Sequence, residues 1–143
     1  MESLIRSSNI EKSVPQGDNR LYLLRQISLD VPEGHFLTLM GPSGAGKSTL
    51  LSILGMLDSG WTGEYWLAGN AVHELPPRKR QALARDHIGF IFQHYHLLDD
   101  MTVYENLELP LTYRNMKAAQ RQARVADILD RFNIVGKKDL YPP

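Results

Sequence analysis

The sequence predicts an α/β fold, and three features carry that prediction. A short apolar run at 36–40, bounded by glycine, leads into a Gly-rich segment, after which leucines recur at helical spacing. Further short apolar segments at 63–67 and 87–92 alternate with stretches of helical character at 77–85, 102–110 and 116–132. The chain has 143 residues, 43% hydrophobic and 22% charged, which suits about one domain with a packed core and excludes a disordered tail or a fibrous repeat.

Residues 1–20 are mostly polar and include Pro15, Gly17, Asp18 and Asn19, so they read as a turn-rich lead-in. Segment 21–31 alternates loosely and suits a strand, and Pro32-Glu33-Gly34 supplies a turn. The apolar run Phe36, Leu37, Thr38, Leu39, Met40 then predicts a buried strand. From Lys47, residues Leu50, Leu51, Leu54 and Leu57 share a helical face, and Asp58-Ser59-Gly60 stops the helix. Segment 63–67, closed by Gly69-Asn70, predicts a strand in an antiparallel layer with the first. Pro76-Pro77 opens a short helix to about Arg85, because proline fits the first helical turn. Segment 87–92 predicts another strand, ending at Gln93. Thr102 and Glu105 fit a capping box in which each side chain takes an amide left open at a helix start. At 116–132, Val125, Ile128, Leu129 and Phe132 form one apolar face opposite Arg121, Arg124, Asp127 and Arg131.

Composition narrows the function. Sixteen Lys and Arg balance sixteen Asp and Glu, which removes the broad attraction of a nucleic-acid or anionic-membrane binder. A phosphate ligand must therefore be held locally. The absence of cysteine excludes disulfides, thiolate metal sites and a Cys nucleophile, and favours a cytosolic address. The N-terminus lacks the pattern of a signal peptide, and no stretch reaches the roughly 20 apolar residues of a membrane span. Direct membrane insertion is not expected. Arg78-Lys79-Arg80 reads as a solvated helix face, His94 and His96 as loop residues without a third metal ligand, and Trp61 and Trp66 as packing residues.

The chemistry lies in Gly41, Pro42, Ser43, Gly44, Ala45, Gly46, Lys47, Ser48 and Thr49, which match GxxxxGK followed by Ser or Thr at every fixed position. Four residues between the outer glycines let the loop wrap a phosphate, and glycine permits close approach that a Cβ blocks. The helix that follows directs unpaired N–H groups at the same point. Lys47 is expected to reach the β- and γ-phosphates of a nucleotide, Ser48 to ligand Mg²⁺ and Thr49 to contact the α-phosphate. Chance alone produces these fixed positions in under about one per cent of chains this long.

Phe90-Ile91-Phe92-Gln93, His94-Tyr95-His96-Leu97-Leu98 and the run from Met101 to Leu111 resemble the Q-loop region of ABC transporter ATP-binding subunits, most closely the branch serving macrolide export and lipoprotein release. The resemblance runs from about Ile10 to Pro143, including Leu24-Arg25-Gln26-Ile27-Ser28-Leu29 and the spacing of about 44 residues between Ser48 and Gln93. It implies a P-loop fold with an incomplete sheet, an antiparallel β layer and the start of a helical subdomain. The division it implies is a nucleotide-binding core at 1–93 and a helical subdomain beginning at 94–143. It also implies that Gln93 approaches Mg²⁺ and the attacking water and senses the γ-phosphate. A glutamine amide offers both a donor and an acceptor without the desolvation cost of a charge. Residues after Gln93 would receive a membrane subunit, and a second copy would complete an ATP sandwich. The implied location is cytoplasmic, peripheral to the inner or plasma membrane through partners.

Two departures from the family pattern stand out. Val14 aligns with the loop position where an aromatic residue stacks on adenine, and Tyr22 reads better as a strand-face residue than as its substitute. The chain also ends at Tyr141-Pro142-Pro143, where the family continues into LSGGQ and the strand bearing the Mg²⁺ aspartate and catalytic glutamate. The expectation is therefore an ATP hydrolase by resemblance whose 143 residues alone are inactive. A nucleotide-binding or regulatory module that never hydrolyses is the alternative. A small-molecule kinase lacks identifiable acceptor-binding arginines and a lid.

Overall fold

The computed structural model describes residues 2–143. They form two compact units, one ending at Phe90 and one running from Ile91 to Pro143.

The first unit is built on an antiparallel sheet. Strand β1 (Ser3–Gln16) and strand β2 (Asn19–Pro32) form a hairpin closed at Gly17-Asp18, followed later by β3 (Thr62–Leu67) and the short β4 (Asn70–Ala71), in the order β2-β1-β3-β4. The polar opening segment is thus a long central strand rather than a turn-rich lead-in. Its place comes from pairing on both edges: Ser7 sits opposite Leu29 of β2 and Tyr65 of β3. Hydrogen bonding to two neighbours offsets weak intrinsic strand preference. β3 lies in one antiparallel layer with the strand at 21–31, as expected, with β1 between them.

Helix α1 (Lys47–Leu54) packs on one face of this sheet, and α2 (Pro77–His87) begins with Pro77 in its first turn. Ile10, Leu24, Leu50, Ile53, Leu54, Tyr65, Leu67 and Val72 make the core, each of the larger side chains contributing about 1.5–3 kcal/mol on burial. Leu51 and Leu57, expected on the same helical face, are exposed. The indole of Trp61 packs against the core under the Arg80 guanidinium. Arg80 also donates from Nε to the Val72 carbonyl at 2.9 Å, so it is a structural residue and not a solvated one.

Segments 36–40 and 87–92 are not strands, against the sequence reading. A strand exists only with a partner, and among the described residues none pairs with either segment. Leu39 and Ile88 pack on the core, whereas Phe36 is 95% exposed, Met40 89% and Ile91 96%. Phe90 lies against Gly55, where a Cβ would come within 2.8 Å of the ring.

The second unit holds α3 (Val103–Thr112) and α4 (Ala118–Arg131). The capping box at the start of α3 forms as expected, with Glu105 N donating to Thr102 Oγ1 at 3.2 Å and Thr102 N to Glu105 Oε2 at 2.7 Å. Val125 and Leu129 of α4 are buried, but Ile128 and Phe132 are exposed, so the apolar face is covered along only part of its width. Arg121 ties the helices together through Glu108 Oε1 at 3.1 Å and the Met116 carbonyl at 2.7 Å.

Candidate phosphate-binding site

Residues 41–46 form an exposed loop that turns directly into α1 at Lys47. Ala45 N donates to the Pro42 carbonyl at 3.2 Å, closing the loop on itself, and Leu50 N donates to the Gly46 carbonyl at 2.9 Å, starting the helix. Gly46 is the residue that this geometry requires to be glycine. Its φ is +94°, and a Cβ would lie 2.6 Å from the Leu23 carbonyl oxygen and 2.8 Å from Leu24 Cδ2. The loop therefore seats directly against β2, closer than any side chain permits.

Lys47 folds back across the loop. Its Nζ donates to the carbonyls of Gly41 at 2.6 Å and Pro42 at 2.8 Å, which places the ammonium over the loop. The first turn of α1 contains no acidic side chain, so none of its own residues offsets the N–H groups and positive dipole end of the helix. Ser48 is exposed and Thr49 half-buried one step further along the helix. Loop, ammonium and helix start together form a concentration of positive potential in a chain of zero net charge.

Val14, expected in a loop, lies within β1 and pairs with Leu21 of β2. This aliphatic pair sits on the same hairpin whose Leu23 and Leu24 touch Gly46. Tyr22 is half exposed on the strand face, with the Arg25 guanidinium 4.8 Å from its ring centroid.

Gln93 is an exposed residue of the second unit, in an irregular segment. What sequence reasoning missed is how the following loop is held. The Asn106 side-chain amide donates to the carbonyls of Leu98, Met101 and Thr102 at 3.0, 3.1 and 3.0 Å, while its Oδ1 accepts from Leu98 N at 2.8 Å. An Asn four residues past a helix N-cap was the available signal. His96 lies against Phe92 with ring centroids 4.5 Å apart and His94 against His96 at 6.5 Å, and among the described residues no group of three or more His, Cys, Asp or Glu side chains is placed to hold a metal ion.

Residues 24–142 match the family model described as ABC transporter. The chain is 41% identical over its full length to the macrolide export ATP-binding/permease protein MacB of Salmonella paratyphi A, and 39% identical over 142 residues to MacB of Escherichia coli K12. It spans 22% of the length of each of these relatives. Among solved structures it resembles the ATP-binding cassette MJ0796 in a dimeric post-hydrolysis state bound to ADP and Pi, with a TM-score of 0.87 at 32% identity. That match covers 96% of this chain and 61% of the cassette, and a second dimeric MJ0796 structure gives the same TM-score at 33% identity. The chain belongs to the ABC transporter family and corresponds to part of its ATP-binding cassette.

Proposed function

We propose that this chain binds Mg²⁺–ATP at residues 41–49 and supplies the nucleotide-binding part of a transporter driven through membrane subunits. The observation that carries the reading is the loop seated on β2 at Gly46, with the Lys47 ammonium held over it and α1 opening behind it. In this reading the amides of Gly41, Ser43, Gly44 and Gly46 wrap the β-phosphate, and that of Ala45 joins them on leaving the Pro42 carbonyl. Pro42 has no N–H and shapes the turn instead. Lys47 leaves its two carbonyl partners for the β- and γ-phosphates, and Thr49 meets the α-phosphate. Val14 and Leu21 offer the nucleoside an aliphatic platform, which discriminates between bases less than a stacking aromatic does.

The donor set fits Mg²⁺, a hard cation that prefers oxygen ligands and usually keeps several waters. The exposed Ser48 hydroxyl is one such ligand, and for Gln93 the support is the sequence resemblance. Bound Mg²⁺ neutralises charge on the phosphate oxygens. Catalytic roles for Lys47 and Gln93, a docking role for the residues after Gln93 and pairing with a second copy are the further parts of the reading. So is a cytoplasmic place at the membrane through those partners. Among the described residues no helix is long and apolar enough to cross a membrane.

Binding without turnover is proposed for the 143-residue chain alone. The loop and first helical turn provide one cation, Lys47, and amides but no carboxylate to orient water, so they hold the ground state without adding interactions specific to the transition state. Titration with a fluorescent ATP analogue tests the site. Lys47→Ala should weaken binding by roughly ten- to a hundredfold, the loss of one charge-assisted contact. An unchanged Kd would reject the assignment, and phosphate release above the Lys47→Ala background would reject the inactivity.

A further inference from the structure

The helix that begins at the phosphate loop is held by its far end. An α-helix leaves its last four carbonyls without intrahelical partners, and those of α1 can be followed one by one. Leu51 O accepts from Gly55 N at 2.8 Å, Ser52 O from Leu57 N at 2.8 Å and Asp58 N at 3.2 Å, and Ile53 O from Met56 N at 3.0 Å. The fourth, on Leu54, accepts instead from the Tyr65 hydroxyl at 2.7 Å. Tyr65 is fully buried in the middle of β3, and burial raises its pKa well above the usual phenol value, so the hydroxyl remains a donor.

The turn after the helix is fixed to the same sheet. Lys12 Nζ of β1 donates to Asp58 Oδ1 at 2.9 Å, as does Gly60 N at 2.9 Å, and Trp61 Nε1 donates to the Asp58 carbonyl at 3.0 Å. At the other end Gly46 rests on Leu23 and Leu24. A helix of eight residues has little stability of its own, so its direction is set by these anchors. It is also only about 12 Å long, which makes a tilt at one end a displacement at the other.

We propose that Tyr65 is a positioning residue for phosphate binding: by holding the Leu54 carbonyl it sets the direction of α1 and so aims the loop amides and Lys47 at the ligand. Phenylalanine would fill the same volume but leave that carbonyl buried and unpaired, which α1 can relieve only by shifting. The inference rests on the reading of residues 41–49 as a phosphate site.

The test compares the full chain with Tyr65→Phe, Lys47→Ala and Val72→Ala, each titrated with Mg²⁺–ATP and with inorganic tripolyphosphate at a temperature where circular dichroism shows it folded. Val72→Ala destabilises the same core while leaving the Tyr65 hydroxyl and its bond to the Leu54 carbonyl in place. Tyr65→Phe should weaken both ligands alike, by about five- to tenfold, as displaced contacts do, while Val72→Ala binds both as the wild type does. Equal loss in Val72→Ala, or no loss in Tyr65→Phe, overturns the positioning role. If the wild type binds neither ligand, or Lys47→Ala binds as well as wild type, the phosphate-site reading falls and this inference with it. Should Tyr65→Phe not fold, Asp58→Asn loosens the neighbouring anchor. A two- to threefold loss for both ligands (about the effect of one weakened hydrogen bond) supports the proposal, and unchanged binding overturns it.

Discussion

Two short segments of similar length, each carrying large apolar side chains, meet opposite fates in this molecule. β3 is hydrogen-bonded to β1 along one edge and β4 along the other, and its Tyr65 and Leu67 are among the most buried residues of the chain. Segment 36–40 is more continuously apolar, yet Phe36 and Met40 are almost wholly exposed. The difference is not hydrophobicity. β3 has a partner on each edge and α1 beneath its inner face, while 36–40 touches the core only through Leu39 and has no strand beside it among the described residues. A strand is a relation between segments, and burial follows the relation.

The comparison breaks most visibly through truncation of one aromatic in each run. Tyr65→Ala should cost about 3–5 kcal/mol, the range for emptying a large core site, whereas Phe36→Ala should stay within about 0.5 kcal/mol. Urea denaturation measures both, and equal costs would mean that segment 36–40 is covered in solution.

A smaller effect sharpens the picture of the paired region. Lys12 holds the Asp58 carboxylate below its ordinary pKa of 3.8, partial burial opposes this, and the Gly60 amide adds to the lowering. A pKa lowered in the folded state stabilises the protein above the unfolded-state value, and the contribution is lost as pH falls through the folded value. Thermal stability should therefore drop below about pH 4 by an amount on the order of 1 kcal/mol. Lys12→Met should flatten that part of the pH profile, and an unchanged profile would show that the ion pair contributes nothing to the hold on α1.

The smallest change in stability is expected where the surface is uncovered. Phe36→Ser with Ile91→Ser should leave the melting temperature nearly unchanged but reduce hydrophobic-dye binding and self-association, because both side chains belong to exposed apolar surface. Undiminished dye binding would place the sticky surface elsewhere, with Tyr95 and Leu57 the next residues to change.

Much of the local structure was legible before any coordinates. The capping box of Thr102 and Glu105, the proline start of α2, the strand at 21–31 and the helix opening at Lys47 each depend on residues close in sequence, whose preferences act within one or two turns. So did the loop of 41–46, where the spacing of glycines and Lys47 encodes a backbone path. β1 was missed because its polar residues and Pro15 carry no strand signal. Its conformation is imposed by neighbours on both sides, at separations the local pattern does not report. Arg80 was misread for the same reason: a basic run looks solvated until Val72 and Trp61 are seen beneath it.

What the sequence determined by itself is the glycine-rich loop of 41–46 and its helix, since dihedral freedom at Gly46, the position of Lys47 and the direction of the helix N-terminus are local properties. What only the tertiary structure decided is how that loop is held. The contact of Gly46 with Leu23, the bond from Tyr65 to the last carbonyl of α1 and the ion pair of Lys12 with Asp58 join residues distant in the chain, and they arise from strand pairing that brings β1, β2 and β3 around one helix. Local preference selects the shape of a loop, but its aim is set by whatever the rest of the chain packs against it.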